Sequence, residues 1–396
     1  MPELWVNLMA MLVYGPLLIV LHELGHALFA RAGGYRVTSF GVGLGPPLWS
    51  VYLNRGVVFH VDRWIFAGGV CTAIPVGPPS MRRAWFHGGG LILQAALAAL
   101  LLCLPSHWLV SGIFWFNLVV ALHNALPWRI GGQASDGWYL IDTFTGGRRG
   151  GSVLTQRASF ERIMRHEERI GSPVGRVYSQ ICLAWTDVLA GRPEDATPLF
   201  LNDPPESLVD PWIDGLYHYV QAEWHRTQGR ALAALRVARE AHSAIDFSTG
   251  DEAAILMSLA EARALVDLEA NAQARRRLAQ AAGIGGPIGW QAAATLLWAS
   301  IDGETDDLEQ ATWRVTRRQH EAWLDPGDAT LALWHAAEQL EERGRVTAAR
   351  GARDAAKTMA RRTLRTCADI DRVSLSRRLR TILNAQTKSA IAGLLD

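Results

Sequence analysis

The sequence predicts a mainly α-helical protein in two parts: a membrane part with three transmembrane helices and a small membrane-associated β-sheet, and a soluble α-solenoid. Two observations support this prediction. Residues 1–147 hold 12 of the 77 charged residues, whereas the remaining 249 residues hold 65. In addition, short turns recur regularly in the second part. We therefore predict two domains, 1–147 and 152–396.

Three apolar runs are long enough for bilayer helices: about Leu4–Ala30, Gly90–Leu109, and Ile113 to about Pro127, with a possible continuation after Asp136. No basic region precedes the first run and no small-residue cleavage site ends it. We therefore expect it to be retained as a membrane helix rather than removed as a signal peptide.

Between the first two runs the sequence has strand character. Tyr35–Phe40, Trp49–Leu53 and Val57–Val61 are rich in β-branched and aromatic residues, and the last two are hinged at Asn54-Arg55-Gly56. We expect a small sheet at the membrane, covered by protein or water, because lipid cannot satisfy exposed backbone polar groups.

The arginines predict the orientation. The connection after the first run holds six of them, Arg148 and Arg149 follow the third run, and the short connection Pro105–Gly112 has none. The positive-inside rule then places the N-terminus outside the cell, and the first connection and the C-terminal domain in the cytoplasm. The stretch Gly146–Gly151 is the predicted linker between the two domains.

In the second part, short turns are each followed by an Ala-rich amphipathic helix. They lie at intervals of 38, 41, 33 and 41 residues, at Gly191, Gly229, Ala270, Gly303 and Gly344. Helix-turn-helix units of this period predict an α-solenoid similar to tetratricopeptide (TPR-like) repeats, an architecture that binds other proteins. An irregular helical bundle with the same Ala-rich faces is the alternative.

The net charge argues against nucleic acid as a partner, and the cysteine content argues against a thiolate zinc site and against a disulfide framework. The formal net charge is +1 and no basic stripe with interleaved aromatic residues occurs, so nucleic acid is not an expected partner. The four cysteines form no Cys-x-x-Cys pair, which argues against a thiolate zinc site and against a disulfide framework. They are Cys71, Cys103, Cys182 and Cys367.

The most informative motif, His22-Glu23-Leu24-Gly25-His26, lies inside the first apolar run. Residues four apart share a helix face, so His22 and His26 can both direct a ring nitrogen at one Zn²⁺ while Glu23 stands beside it. Ionisable groups at bilayer depth are costly and are therefore functional candidates. The alternative is a pair of hydrogen-bonded core histidines, since the motif arises by chance in roughly a few per cent of such chains.

A catalytic zinc usually takes three protein ligands. The candidate for the third is Asp136, an acid in the third apolar region that is followed by Gly137 and preceded by the helix-interrupting Pro127. Asp136 could instead only cap the helix that begins at Gly137. The presence of the His-Glu-x-x-His motif favours the ligand.

Four motifs in this order resemble the site-2 protease family of intramembrane zinc metalloproteases over about residues 1–145. They are HELGH at His22–His26, FGVGLGPP at Phe40–Pro47, FAGGV at Phe66–Val70, and NALP…SDG from Asn124 to Gly137. The family cleaves transmembrane segments of substrate proteins, often membrane-held regulators. This sequence departs from its pattern at Ser135, in the longer stretch before Asp136, and at Gly88–Gly90 and Gln94.

The resemblance implies a polytopic metalloprotease core that binds one Zn²⁺ per chain. Its ligands would be His22, His26 and Asp136, with Glu23 as the general base and Asn124 orienting substrate or an oxyanion. The expected partners are a transmembrane protein substrate, the lipid bilayer and a cytoplasmic protein bound by the repeat domain. We therefore expect an intramembrane zinc endopeptidase that acts in regulated intramembrane proteolysis.

Two other functions compete with this one. The first is a membrane-anchored scaffold with a decayed protease core, but a decayed site is expected to lose at least one of the four key residues. The second is a structural zinc site, but such a site is closed by four ligands and has no need of Glu23. For an enzyme, an exposed edge in the region Val37–Val61 could hold an unwound substrate by strand addition.

Overall fold

The computed structural model describes residues 2–53, 56–75, 81–105, 107–130, 133–144, 157–201, 211–244, 251–278, 286–321, 323, 325–366, 376–377, 379–380 and 382. Contacts divide the chain into two units. Unit 1 comprises Met1–Gly147 and Glu161–Ser179, and unit 2 comprises Arg148–Phe160 and Gln180–Asp396. The division into 1–147 and 152–396 stays a prediction, because residues 161–179 group with unit 1. The predicted linker, Gly146–Gly151, lies outside the described residues.

Among the described residues, three helices are long and apolar enough to cross a membrane. These are α1 (Pro2–Phe29), α2 (Arg83–Leu102) and α3 (Trp108–Ala125). Helix α2 begins at Arg83, before the predicted start at Gly90, because its first turns carry the charged Arg83 and the polar His87. It ends at Leu102, so the predicted end at Leu109 is wrong, and α3 begins at Trp108, before the predicted start at Ile113. At the start of α3, the side chain of His107 accepts a hydrogen bond from Leu109 N and caps the helix.

Two long strands, β1 (Tyr35–Tyr52) and β2 (Val58–Pro75), form the sheet of unit 1. They pair antiparallel, from Tyr35↔Pro75 to Tyr52↔Val58. The register also gives residues 39–42 two sets of partners, 69–72 on one side and 58–61 on the other. The predicted sheet is therefore confirmed, but β2 continues to Pro75, well beyond the predicted end at Val61.

A short hairpin and a short helix complete the part of unit 1 that precedes residue 147. Strands β3 (Arg129–Ile130) and β4 (Gln133–Ala134) pair antiparallel, and α4 (Asp136–Phe144) follows directly. This hairpin accounts for the long stretch between Pro127 and Asp136.

Glycine allows α1 and α2 to approach closely. A Cβ atom added to Gly25 would lie 2.4 Å from Gly89 O, and one added to Gly89 would lie 2.5 Å from Gly25 O. A Cβ atom on Gly90 would lie 2.4 Å from the His22 ring. Any larger residue at these positions would push α2 away from the histidine-bearing helix.

The remaining helices are α5 (Arg157–Ile170), α6 (Pro173–Leu189), α7 (Pro193–Phe200), α8 (Pro211–Thr227), α9 (Ala231–Ala244), α10 (Asp251–Asp267), α11 (Asn271–Leu278), α12 (Gly286–Trp298), α13 (Thr305–Thr316), α14 (Pro326–Glu342) and α15 (Val346–Thr366). The five predicted turns fall between α6 and α7, α8 and α9, α10 and α11, α12 and α13, and α14 and α15. In unit 2, α8 contacts α10, α10 contacts α12, and α12 contacts α14. The resemblance to tetratricopeptide repeats stays a prediction.

A buried ionic network holds four of these helices together in unit 2. Arg263 in α10, only 3% exposed, donates to Glu223 Oε1 in α8 at 2.9 Å and to Asp328 Oδ2 in α14 at 3.0 Å. Trp298 Nε1 in α12 donates to Asp328 Oδ1 at 3.1 Å. Removing one partner of such a network would leave a buried charge uncompensated, so these contacts favour one relative arrangement of the helices.

The close approach of α1 and α2 can be tested within one glycine triplet. We expect Gly89→Ala to lower the free energy of unfolding by about 1–3 kcal/mol, because its Cβ atom would overlap backbone atoms. Gly88→Ala is the matched control, since the atom nearest its added Cβ is 3.8 Å away. Thermal unfolding in detergent should separate the two variants, and an equal loss in both would contradict this packing.

Candidate metal centre

The two motif histidines lie on one face of α1 and are buried. His22 is 5% exposed and His26 is 6% exposed. Their Nε2 atoms are 3.1 Å apart, as the spacing of four residues on a helix predicts. Both ring nitrogens that could bind a metal therefore point at the same place.

Asp136 completes this cluster from the first turn of α4. Its Oδ2 atom lies 2.9 Å from His22 Nε2 and 3.4 Å from His26 Nε2. Among the described residues, these three form one group of His, Cys, Asp or Glu side chains whose ligand atoms all lie within 4.8 Å of one another. The structure thus brings together residues that are 110 or more positions apart in the sequence.

The hydrogen bonds around the histidines decide which nitrogen carries the proton. His26 Nδ1 lies 2.7 Å from Phe86 O, and a backbone carbonyl can only accept, so Nδ1 carries the proton. His22 Nδ1 lies 3.0 Å from Gln94 Oε1, an arrangement that places its proton on Nδ1 as well. In the neutral rings, both Nε2 atoms then present lone pairs.

This tautomer makes the cluster suitable for a cation. Two Nε2 lone pairs and a carboxylate oxygen converge within 3.4 Å and would repel one another without a positive charge between them. Two imidazoles and a carboxylate are ligands that Zn²⁺ binds in catalytic sites. The donor set and the orientation of the rings therefore fit Zn²⁺.

The groups that orient the two histidines were not predicted from the sequence. Gln94, which is fully buried in α2, faces His22, and its backbone carbonyl accepts a hydrogen bond from Asn117 Nδ2 in α3 at 2.9 Å. In the sequence, the signal for these groups was the presence of two polar residues, Gln94 and Asn117, inside apolar helices. Phe86 contributes only a backbone carbonyl, which the sequence cannot reveal.

Ser135 and Gly137 place Asp136 at the start of α4. Ser135 Oγ accepts hydrogen bonds from Trp138 N and Trp128 N and donates one to Leu126 O, so it caps the helix and anchors the preceding chain. A Cβ atom on Gly137 would lie 1.9 Å from Ala125 O, so only glycine allows α4 to approach the end of α3. Ser135 thus has a structural role, and Asp136 need not act as the cap.

Glu23 lies beside the cluster and faces strand β2. It is 8% exposed, and a Cβ atom added to Gly69 would lie 2.8 Å from Glu23 Oε1. The glycine therefore lets the backbone of β2 run directly past the carboxylate. The predicted Asn124 lies in the last turn of α3, half-buried, and its role stays a prediction.

A second pair of imidazoles lies elsewhere in unit 1. The rings of His60 and His166 pack edge to face with centroids 4.8 Å apart, and His60 Nδ1 lies 3.1 Å from Asp62 Oδ1. Burial lowers the pKa of each of these two histidines to about 4, so both are neutral at pH 7. They do not belong to a three-ligand group among the described residues.

Comparison with known protein families gives a match that includes the two motif histidines. Residues 10–107 match the model of peptidase family M50. This family is the site-2 protease family, and the match supports a membrane metalloprotease domain in this part of the chain. It includes the His22–His26 motif and ends before Asp136, so the third candidate ligand rests on geometry. No curated protein and no solved structure matches this chain.

The role of Gln94 can be measured through metal affinity. We expect Gln94→Leu to weaken zinc binding by about 10–100-fold, because the partner that fixes the His22 ring is removed while the three ligands remain. Competition with a chelator of known affinity would give this value. Gln221→Leu, in α8 of unit 2, is the control and should bind zinc like the unmodified protein; equal weakening in both variants would contradict the assigned role.

Proposed function

We propose that this protein is an intramembrane zinc endopeptidase that cleaves peptide bonds in or near transmembrane segments of membrane proteins. In this proposal His22, His26 and Asp136 hold one Zn²⁺, and Glu23 is the general base. The biological role proposed is regulated intramembrane proteolysis. The family match and the three apolar helices support an integral membrane location and a metalloprotease domain.

One observation carries the proposal: three ligand atoms converge beside a fourth ionisable group on an apolar helix. The Nε2 atoms of His22 and His26 and the Oδ2 atom of Asp136 lie within 3.4 Å of one another, and Glu23 is the residue next to His22. A structural zinc would be closed by four protein ligands, whereas a catalytic zinc keeps one position for water. A cluster of three ligands with an adjacent carboxylate therefore favours catalysis.

The chemistry follows from the donor set. Bound Zn²⁺ supplies Lewis acidity, which lowers the pKa of a bound water toward ~7 and polarises the scissile carbonyl. Glu23 takes a proton from the attacking water and delivers it to the leaving amine, which no metal ligand is free to do. Gln94 and the Phe86 carbonyl hold the two imidazoles so that Nε2 of each faces the metal position.

A helical substrate must unwind before it can react, because its carbonyls are occupied by internal hydrogen bonds. Strand β2 passes Glu23 at Gly69, so we propose that an extended substrate lies near residues 68–70. The sequence predicted strand addition in the region Val37–Val61, and we now propose it at residues 68–70 of β2, which lie beside Glu23. Asn124 is proposed to orient the substrate or an oxyanion.

The catalytically decayed scaffold is the weaker alternative. A decayed site should have lost at least one of His22, Glu23, His26 and Asp136, or the geometry that brings them together. All four are present, and their arrangement also depends on close-packed glycines that a scaffold would not need. The proposed role of unit 2 is to bind a cytoplasmic protein partner through its helix pairs.

The proposed orientation places the N-terminus outside the cell and unit 2 in the cytoplasm, on the basis of the arginine distribution. In a protein whose four native cysteines are replaced, a cysteine introduced at Thr227, exposed at the end of α8 next to the turn at Gly229, should react with an impermeant thiol reagent only after the cells are opened. Labelling of this cysteine in intact cells would reverse the orientation.

The catalytic assignment can be tested with two variants that differ in their expected zinc content. Glu23→Gln leaves all three ligands in place, so it should bind zinc stoichiometrically and lose proteolysis. Asp136→Ala removes a ligand, so it should lose both zinc and proteolysis. Zinc is measured by plasma emission spectrometry. Proteolysis is measured on the membrane proteins that accumulate in cells carrying Glu23→Gln, after reconstitution in vesicles.

The paired measurement separates the alternatives. A misfolded protein would lose zinc in both variants, and a scaffold would keep its cellular phenotype in both. Undiminished proteolysis by Glu23→Gln, or full zinc occupancy in Asp136→Ala, would contradict the proposed mechanism.

A further inference from the structure

Residues 161–179, from α5 and α6, pack on the sheet of unit 1 although they follow the membrane helices in sequence. Arg169 Nη1 donates to Gly45 O at 3.0 Å, and Tyr52 Oη donates to Gly171 O. His166 packs against His60. The segment therefore contacts both β1 and β2.

The most buried contact of this segment is made by Glu167, which is fully buried in α5. Its Oε1 atom accepts hydrogen bonds from Ser39 Oγ at 2.8 Å and from Thr38 Oγ1 at 3.4 Å. Its Oε2 atom lies where a Cβ atom on Gly175 would come within 2.0 Å, so glycine at this position of α6 makes room for the carboxyl group. An acidic side chain buried this completely needs a specific reason.

A β-bulge explains why two neighbouring residues of β1 can reach one carboxylate. The register passes from Val37↔Ala73 to Ser39↔Thr72, which leaves Thr38 as an extra residue. A bulge can turn two successive side chains toward the same side of a sheet. Thr72 O, 3.2 Å from Thr38 Oγ1, is the alternative acceptor for the single hydroxyl proton of Thr38, so the cluster spans β1 and β2.

This cluster lies close to Glu23 along the sheet. Thr72 is three residues from Gly69, whose backbone lies against the Glu23 carboxylate. The pairs between them, Phe40↔Cys71 and Gly41↔Val70, are consecutive in the ladder. At about 3.3 Å per residue, Thr72 and Gly69 are about 10 Å apart along β2. Because β2 is paired with β1 between these two residues, a displacement of β2 at Thr72 would also displace Gly69.

We propose that residues 161–179 support the candidate metal centre. In this proposal Glu167 is a positioning residue that holds the part of β2 from Gly69 to Thr72 beside Glu23. This inference rests on the proposed function for its effect on proteolysis. The contact of Glu167 with the sheet can be measured without any activity.

Glu167→Gln is the conservative replacement that tests this contact. Burial raises the pKa of Glu167, against the opposing effect of hydrogen bonds that include those from Ser172 and Ser39. Gln has the same shape as Glu and keeps an acceptor oxygen for the two hydroxyl groups, without the charge that burial disfavours. Glu167→Gln should keep the contact, whereas Glu167→Ala should lose it.

Cys71 serves as a reporter because it lies in β2 between Gly69 and Thr72 and is half-buried. The full-length protein would carry Cys103→Ser, Cys182→Ala and Cys367→Ser, so that a maleimide reacts at Cys71 alone. We expect labelling about 5- to 100-fold faster in Glu167→Ala, the range that corresponds to losing a buried hydrogen bond. Glu167→Gln, and the neighbouring exposed control Glu168→Gln, should react at the starting rate.

Activity gives the second measurement. Casein in detergent is the probe, with bound zinc measured in each sample. We expect Glu167→Ala to lower kcat on the order of 10-fold with zinc content unchanged, and Glu167→Gln to restore it. If the starting protein does not cleave casein while Cys71 responds as expected, the proposed function fails with this probe and the positioning of β2 stands.

Ser39→Ala covers the case in which Glu167→Ala does not fold, since it removes one hydroxyl group and no buried acid. It should also accelerate labelling of Cys71. Unchanged labelling in Glu167→Ala or, if that variant is unfolded, in Ser39→Ala would overturn the proposal. An equal acceleration in Glu168→Gln would overturn it as well.

Discussion

Three acceptor atoms converge inside unit 1, and the surrounding structure depends on this electrostatic constraint. The hydrogen bond from His26 to the Phe86 carbonyl fixes the ring so that Nε2 faces inward, toward His22 and Asp136. Lone pairs held within 3.4 Å of one another need a cation to offset their repulsion. Such a site can persist only if several elements hold it in place, because an isolated group of this kind would spread apart.

Glycine provides much of that support. Gly25 and Gly89 let α1 and α2 touch through their backbones, Gly137 does the same for α4 and the end of α3, and Gly69 lets β2 pass Glu23. Each contact excludes a side chain and brings a functional group to the same place. The geometry of the candidate metal centre is thus set by close backbone approaches, with polar side chains such as Gln94 fixing ring orientation.

The sequence predicts the parts of the site that depend on local geometry. A spacing of four residues is enough to place His22 and His26 together on a helix, whatever the rest of the fold does. Asp136 was a candidate because it is an acid in an apolar region, and the family resemblance supported it, but the sequence does not place it beside the histidines because its position depends on the packing of α4 against α3. Gln94 was noticed only as a departure from the family pattern, although a polar residue inside an apolar helix was itself a signal. The return of residues 161–179 to unit 1 is a long-range contact with no periodic pattern to predict it.

The proposed site is a zinc ion held by two imidazoles and one carboxylate, with one position left for water. X-ray absorption at the zinc edge of the purified full-length protein tests it most directly. We expect about four nitrogen or oxygen neighbours at about 2.0–2.2 Å, with the multiple-scattering signature of two imidazoles. Sulfur in the coordination shell, a single imidazole, or protein that binds no zinc would contradict it.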